Sequence, residues 1–291
     1  MSFRVGRVAI VGLGLIGGSL GLALKKAKGT EIEVVGFSRR SETVATARAR
    51  GVVDKAAADL VSAVGEADVV VVATPVMAIR EILERVASHL PSGCIVTDIG
   101  STKTRVMQWA DEYLPSSVSF VGGHPMAGKE TSGLDEADAD LFRDCVYCLV
   151  PAPRAHEEAV EAVSGLVEAI GARPLLIDAE SHDSLVAGVS HLPILLSASF
   201  VAATVGSSQW PEMAKLAAGG YRDISRLASG DPHMNRDICL TNRDEIIRWM
   251  DRYIEELTQF RRLIAEDNSE LVNALDHARQ AREEWLREGK G

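Results

Sequence analysis

Apolar residues in the first half of the chain come in short bursts, each followed by a longer stretch with helical spacing. "RVAIVGLG", "EIEVVGFS", "ADVVVVATP", "GCIVTDIG", "SVSFVGGHP", "CVYCLVPA" and "RPLLIDA" read as strands. Between them, residues 19–27, "SETVATARAR", residues 77–89 and "HEEAVEAVSGLVEAIGA" read as helices. This alternation predicts a largely parallel, doubly wound α/β sheet with helices on both faces, in which "VVVV" suits a strand buried on both sides. From Glu180 onward the pattern is helical almost throughout, with breaks at "VGSSQWP", "AAGGY" and "SGDP". The expected organisation is an α/β domain over residues 1–178 and an all-helical domain over 179–291. Near the end Ile246, Met250, Tyr253, Leu257, Phe260 and Ile264 recur at steps of four and three, a stripe that needs a partner surface. A core helix of its own domain would meet that need. So would a homodimer through the helical domain, which is the expectation adopted.

Length and composition narrow the picture. A chain of 291 residues suits two domains, and 46% hydrophobic with 25% charged residues is ordinary for a globular protein. The formal net charge of −10 argues against nucleic acid or an anionic membrane as partner, while leaving room for a local basic patch. Arg4 and Arg7 precede an apolar run from Val8 to Leu24; with five glycines and no small-x-small cleavage site after Leu24, it is expected to be a folded element rather than a leader or a membrane span. Four cysteines fit a reducing cytoplasm. Cys145 and Cys148 form a CxxC inside a strand-like run with no second ligand pair, so buried cysteines are expected and no metal.

"VAIVGLGLIGGSLGLAL" contains GxGxxG at Gly12, Gly14 and Gly17, placed after a strand and opening a helix. Gly12 suits the tight turn, Gly14 the close approach of a pyrophosphate, and Gly17 the packing of helix on sheet. The helix start at Leu15 and Ile16 then offers its amides to the phosphates. The first domain is therefore expected to be a Rossmann-type dinucleotide-binding fold. NAD sites usually carry an acid at the end of the second strand. Here Ser38 stands there, followed by Arg39 and Arg40, so a 2′-phosphate meets two guanidiniums and no repulsion. NADP is expected over NAD, although both arginines also suit the solvated start of a helix. Thr74 and Pro75 in "ATP" and Ser101 in "DIGSTKT" close further strands where such folds bind ligands; Thr74, Ser101 and Thr102 also suit helix caps.

"FVGGHPMAG" sets His124 between two glycines and Pro125, a stiff frame suited to a general acid or base and equally to an ordinary strand-to-loop corner. Together with "VGLGLIGGSL", "DIGSTKT", "GGHPMAGKETSG", "VSHLP" and "GGYRDISRLASGDP", in this order along most of the chain, the sequence resembles the TyrA family of prephenate and arogenate dehydrogenases. That resemblance implies oxidative decarboxylation of a cyclohexadiene and a helical dimerisation domain after the nucleotide-binding one. It implies that His124 hydrogen-bonds the substrate's ring hydroxyl, that Ser101 lies near the same hydroxyl, and that Arg226 binds a substrate carboxylate with Asp223 supporting it. Arg222 and Arg226 share one helical face if their segment is helical. His191 falls on a family pocket histidine and Glu130 on an acid near the entrance of prephenate-using members. Ile194 stands where many members have a second pocket histidine, which resembles NADP-dependent, arogenate-preferring members, so both substrates stay open. A β-hydroxyacid dehydrogenase or imine reductase-like enzyme and a non-catalytic dinucleotide sensor are the alternatives; Lys215 does not fall in the pattern expected of the former's catalytic lysine. From Ser38, Arg39 and Arg40 the expected outcome is a lower KM for NADP than for NAD, measured at 340 nm, and a clear NAD preference would overturn that reading.

Overall fold

The computed structural model describes residues 5–28, 31–128 and 131–288. Every apolar burst read from the sequence becomes a strand: β1 (Arg7–Val11), β2 (Glu33–Phe37), β4 (Val69–Val72), β5 (Ile95–Asp98), β6 (Ser119–Pro125), β7 (Val146–Pro151) and β8 (Arg173–Leu176). An added edge strand, β3 (Lys55–Ala56), has both residues exposed, so no apolar pattern announces it. The strands form one eight-stranded sheet in the order β3-β2-β1-β4-β5-β6-β7-β8. All neighbours are parallel except β6 and β7, which pair antiparallel with His124 opposite Cys148.

Helices α1 (Leu15–Lys28), α2 (Ser41–Ala49), α3 (Leu60–Val64), α4 (Val76–Val86), α5 (Thr104–Tyr113) and α6 (Glu157–Ala169) connect the strands. The pleat sends Val8 and Ile10 into one buried cluster, with Leu20, Leu24, Val163 and Val167, and Ala9 and Val11 into another, with Leu83, Val86, Val106 and Trp109. The sheet is thus covered on both faces, which is why its central strands carry valine at successive positions. α1 begins at Leu15 rather than near residue 19, because glycines obscure the start of its helical pattern.

Beyond β8 the chain is helical: α7 (Ala179–Val186), α8 (Leu192–Val205), α9 (Trp210–Leu216), α10 (Gly219–Ser225), α11 (Pro232–Thr241), α12 (Arg243–Ala265) and α13 (Glu270–Glu288). By compactness the chain divides into Met1–Arg243 and Asp244–Gly291. In the second unit, Ile246 and Leu263 are buried, whereas Met250, Ile254, Leu257 and Ile264 on α12 and Leu275 and Trp285 on α13 are exposed. In the first unit, α7 and α8 run together through a π-turn at Ala187–His191, where the Leu192 N–H donates to the Ala187 carbonyl. This stretch, Ala179–Val205, reaches a mean hydropathy of 1.8 and is long and apolar enough to cross a membrane by length and composition. It nevertheless carries four buried polar residues, His182, Asp183, His191 and Ser197.

Gly21 marks the closest approach of α1 to the loop after α2. A Cβ there would stand 2.4 Å from the Val52 carbonyl oxygen. Glycine to alanine in a helix interior normally stabilises by about 1 kcal/mol. Here overpacking against rigid backbone, about 1–3 kcal/mol, outweighs it. Gly21→Ala is therefore expected to lower the unfolding free energy in a urea melt, and an unchanged or raised midpoint would show that α1 can move away.

Candidate active site

Two groups of residues meet at the carboxyl ends of the parallel strands, the edge at which open α/β sheets bind ligands. The first lies between β1 and β4, where the strand order reverses. Gly12 has φ +106°, and a Cβ on it would fall 2.3 Å from the Ala73 carbonyl oxygen. Gly17 could carry no side chain either, since its Cβ would lie 2.0 Å from the Gly12 carbonyl oxygen. Gly14 differs: an added Cβ there meets nothing within 4 Å. The fold itself thus requires Gly12 and Gly17, while the space above Gly14 is left open. The first helical bond of α1 runs from the Gly18 N–H to the Gly14 carbonyl, so the amides of Leu15, Ile16 and Gly17 lie ahead of the helical ladder. No acid stands in that first turn. Thr74, two residues past β4, has a buried Oγ1 without a hydrogen-bond partner, and neither it nor Pro75 supplies a side-chain cap to α4. Glycine cradle, free amides and an orphaned hydroxyl fit a dinucleotide. Past β2, Ser38 is half-buried and Arg39 and Arg40 are exposed; Arg40 precedes α2 without capping it through its side chain.

The second group is built around β6. Gly122 and Gly123 are there to make room: a Cβ on Gly122 would lie 3.2 Å from Lys103 Cδ, and one on Gly123 would lie 2.5 Å from the Asp98 carbonyl oxygen. Lys103 is fully buried, an exception for lysine that its partners explain. Its Nζ donates to Asp98 Oδ2 and, at 2.7 Å, to the Gly123 carbonyl. Asp98 in turn accepts the N–H groups of Gly100 at 2.7 Å and Gly123 at 3.2 Å. The ion pair therefore clamps the backbone immediately before His124 to the loop that carries Ser101.

His124, at the end of β6, is buried, and its Nδ1 lies 2.9 Å from His182 Nε2. His182 Nδ1 lies 2.8 Å from Asp183 Oδ1. A carboxylate can only accept, so His182 carries a proton on Nδ1, and a singly protonated ring there accepts at Nε2 from the Nδ1–H of His124. The remaining nitrogen of His124, Nε2, is then a bare lone pair. Burial, followed by the fields of His182, Lys103 and His191, pushes His124 well below its ordinary 6.5 and keeps it neutral at pH 7. Asp183 also accepts the amides of Lys103 at 2.7 Å and Thr104 at 2.8 Å. It thereby caps α5 from another element, so neither Ser101 nor Thr102 is the cap; Thr102 donates instead to Thr241 Oγ1 at 2.9 Å. Although burial pushes the Asp183 carboxyl up, the bonds from His182, Thr104 and Lys103 hold it below the usual range.

His191 closes the network. It is buried at the π-turn, with Nδ1 3.2 Å from Asn242 Nδ2, which also donates to the Asp183 carbonyl at 2.7 Å. Its Nε2 is buried without a partner, and burial lowers the ring to about 4. Ser101 is half-buried, its main chain acting on His191, and Ile194 is half-buried one turn further along α8. Arg222 and Asp223 lie on α10. Arg226 follows its last residue and begins a 3₁₀ turn, so the four-residue helical spacing breaks there. All three are exposed, and the turn is tied to α8 by the Ala228 N–H donating to Ser197 Oγ at 2.9 Å. Glu130 lies outside the described residues. Lys215 is exposed and pairs with Glu212 at 2.8 Å, outside the buried network. The sequence does not single out Asp98, Lys103, His182, Asp183 or Asn242; His182 and Asp183 stand among Glu180, Ser181 and Ser184 on α7, which leaves them unmarked.

A glycine-cradled helix start at the sheet's switch point, with a buried neutral histidine at the neighbouring strand ends, defines a dinucleotide-dependent dehydrogenase. The models of the prephenate dehydrogenase nucleotide-binding domain and dimerization domain match residues 20–176 and 178–277. The chain belongs to the prephenate dehydrogenase family. It is 38% identical to the prephenate dehydrogenase of Bacillus subtilis (strain 168) over 265 residues, 90% of this chain and 71% of that protein. Prephenate dehydrogenase from A. aeolicus in complex with hydroxyphenyl propionate and NAD+ superposes with a TM-score of 0.90 at 29% identity, covering 98% of this chain and 99% of that one. Synechocystis arogenate dehydrogenase superposes at 0.82 with 31% identity, over 96% and 99%.

The glycine geometry separates ligand from fold. Gly14→Ala is expected to leave the thermal midpoint unchanged and weaken dinucleotide binding at least about tenfold by calorimetry, since the added methyl occupies the approach to the helix start. Unchanged affinity would place the pyrophosphate elsewhere.

Proposed function

We propose that the protein catalyses oxidative decarboxylation of arogenate, prephenate or both, in tyrosine biosynthesis, with NADP preferred over NAD. The observation that carries this reading is the bare Nε2 of a neutral, buried His124 on the ligand-binding edge of the sheet. A bound nicotinamide supplies the acceptor for the hydride that leaves the ring carbon bearing the hydroxyl. His124 Nε2 takes up the hydroxyl proton as carbonyl character develops there. Its Nδ1–H is already directed at His182, and Asp183 lies behind, so positive charge arising on the imidazole is shared along the chain. When CO2 departs and its bonding pair completes the aromatic ring, His124 returns the proton to the phenolic oxygen. Ser101 orients the same hydroxyl. Arg226, supported by Asp223, holds a carboxylate, and His191, Ile194 and Glu130 complete the substrate pocket.

For the cofactor, Gly12, Gly14, Leu15, Ile16 and Gly17 hold the pyrophosphate. Thr74 and Pro75 line the nicotinamide side, and Ser38, Arg39 and Arg40 take the 2′-phosphate. Ile194 favours arogenate. The functional division falls near residue 178, with a homodimer formed through the helical domain; the exposed apolar side chains of α12 and α13 support that assembly. The family's soluble biosynthetic chemistry supports a cytoplasmic location.

The test is a matrix of arogenate and prephenate against NADP and NAD, followed at 340 nm and repeated with His124→Asn. Loss of a general base costs about 10²–10⁴-fold in turnover. That loss is expected with dinucleotide affinity retained, and near-normal turnover would remove the assigned role. A histidine held below 6.5 loses its function only as pH falls through that depressed value. The acid limb of kcat/KM should accordingly lie below pH 6.5; a limb above it would mean that another group is the base.

A further inference from the structure

Asn242 stands at the end of α11, buried, and belongs to no part of the site read from the sequence. Its Nδ2 is 2.7 Å from the main-chain oxygen of Asp183 and 3.2 Å from Nδ1 of His191. A carbonyl oxygen can only accept a hydrogen bond, which fixes the amide nitrogen, not the amide oxygen, on that side. The second hydrogen of the same nitrogen then faces His191, and Nδ1 of His191 must be the acceptor. The imidazole proton is left on Nε2. That atom is buried and has no partner in hydrogen-bonding geometry, although the Ser101 main-chain carbonyl is near enough to favour a proton on the ring.

We infer that Asn242 is a positioning residue that locks His191 as an Nε2–H donor, aimed at an acceptor oxygen of the bound ligand. This rests on the active-site reading above and adds a recognition element to it. The two histidines on either side of Asp183 are thereby set in opposite senses. His124 is held through its Nδ1 proton and presents a lone pair, whereas His191 is held through its Nδ1 lone pair and presents a proton. Asp183 governs both, the first through its carboxylate and the second through its carbonyl. A site so arranged offers one acceptor and one uncharged donor, and it recognises a ligand that carries a hydroxyl and, apart from it, a carbonyl or carboxylate oxygen. An uncharged donor suits that task because the cationic work already falls to an arginine. An unpaired buried N–H also penalises any ligand lacking the oxygen, so the donor serves specificity as well as affinity.

The test reads the tautomer directly. In ¹⁵N-labelled protein, a long-range proton–nitrogen correlation spectrum, with His191 assigned through His191→Gln, should show His191 protonated on Nε2 and bare on Nδ1. Asn242→Asp replaces the donor by an acceptor and should move that proton to Nδ1. Alongside it, KM for the cyclohexadiene should rise about tenfold, the cost of one unmade buried hydrogen bond, with dinucleotide Kd unchanged. Asn242→Ala, which removes the bias without setting a carboxylate beside the Asp183 carbonyl, should give both tautomers and an intermediate KM. A wild-type His191 protonated on Nδ1 would overturn the proposal, as would a reversed tautomer with unaltered KM. The tautomer is read in the free protein. A wild type that turned over neither cyclohexadiene would therefore remove the functional reading while the spectrum still decided the role of Asn242.

Discussion

A carboxylate withdrawn from water must be matched by donors, and Asp183 is matched on every side. The His182 ring and the amides of Lys103 and Thr104 converge on its two oxygens, and Asn242 takes its carbonyl. Each of these bonds also does something for its donor. The amides open α5, the imidazole fixes its neighbour's proton, and the asparagine ties the end of α11 to the π-turn region. Because the parts share one acceptor, the α/β layer and the first helices beyond it are held to each other by a polar contact, and the same contact decides which ring nitrogens carry protons. An apolar residue of similar volume could fill that space. It could not orient anything.

The neighbouring Lys103–Asp98 pair works on the backbone rather than on side chains. Charge-assisted bonds to the Gly123 carbonyl and to the amides of Gly100 and Gly123 hold the end of β6 and the loop after β5 in a fixed relation. The glycines at 122 and 123 are the steric counterpart of that clamp, and this explains why a hydrophobic strand gives way to two glycines just before a histidine. Stiffness around His124 thus has a cause more specific than proline and glycine as residue types.

Much of this was legible in the sequence. The order of strands and helices follows from apolar bursts with a parallel-sheet character, and the glycine motif follows from its position between strand and helix. β3 was not, because two exposed residues leave no periodic trace. Within the site, His124 and His191 could be singled out because their surroundings are unusual in sequence. His182, Asp183 and Asn242 could not, since each earns its importance from a residue remote in the chain: His182 from His124 on β6, Asp183 from the start of α5, Asn242 from the π-turn. Such partnerships are products of tertiary packing, which periodicity does not encode. Lys103 shows the same limit in another form, lying inside a quoted motif while the identity of its partner was known only from the fold. The spacing of Arg222 and Arg226 failed for a local reason, because the helix ends between them.

The π-turn before α8 gives the molecule an angular offset. An α-helix advances about 100° per residue, so the one additional residue enclosed at Ala187–His191 rotates everything that follows by roughly that amount relative to α7. His182 and Asp183 belong to the phase before the offset, and Ile194 and Ser197 to the phase after it. A single-residue deletion there would restore uninterrupted helix at little cost to the backbone. It would also turn the two halves out of step, so that Ile194 and Ser197 would face another side of the helix relative to His182 and Asp183.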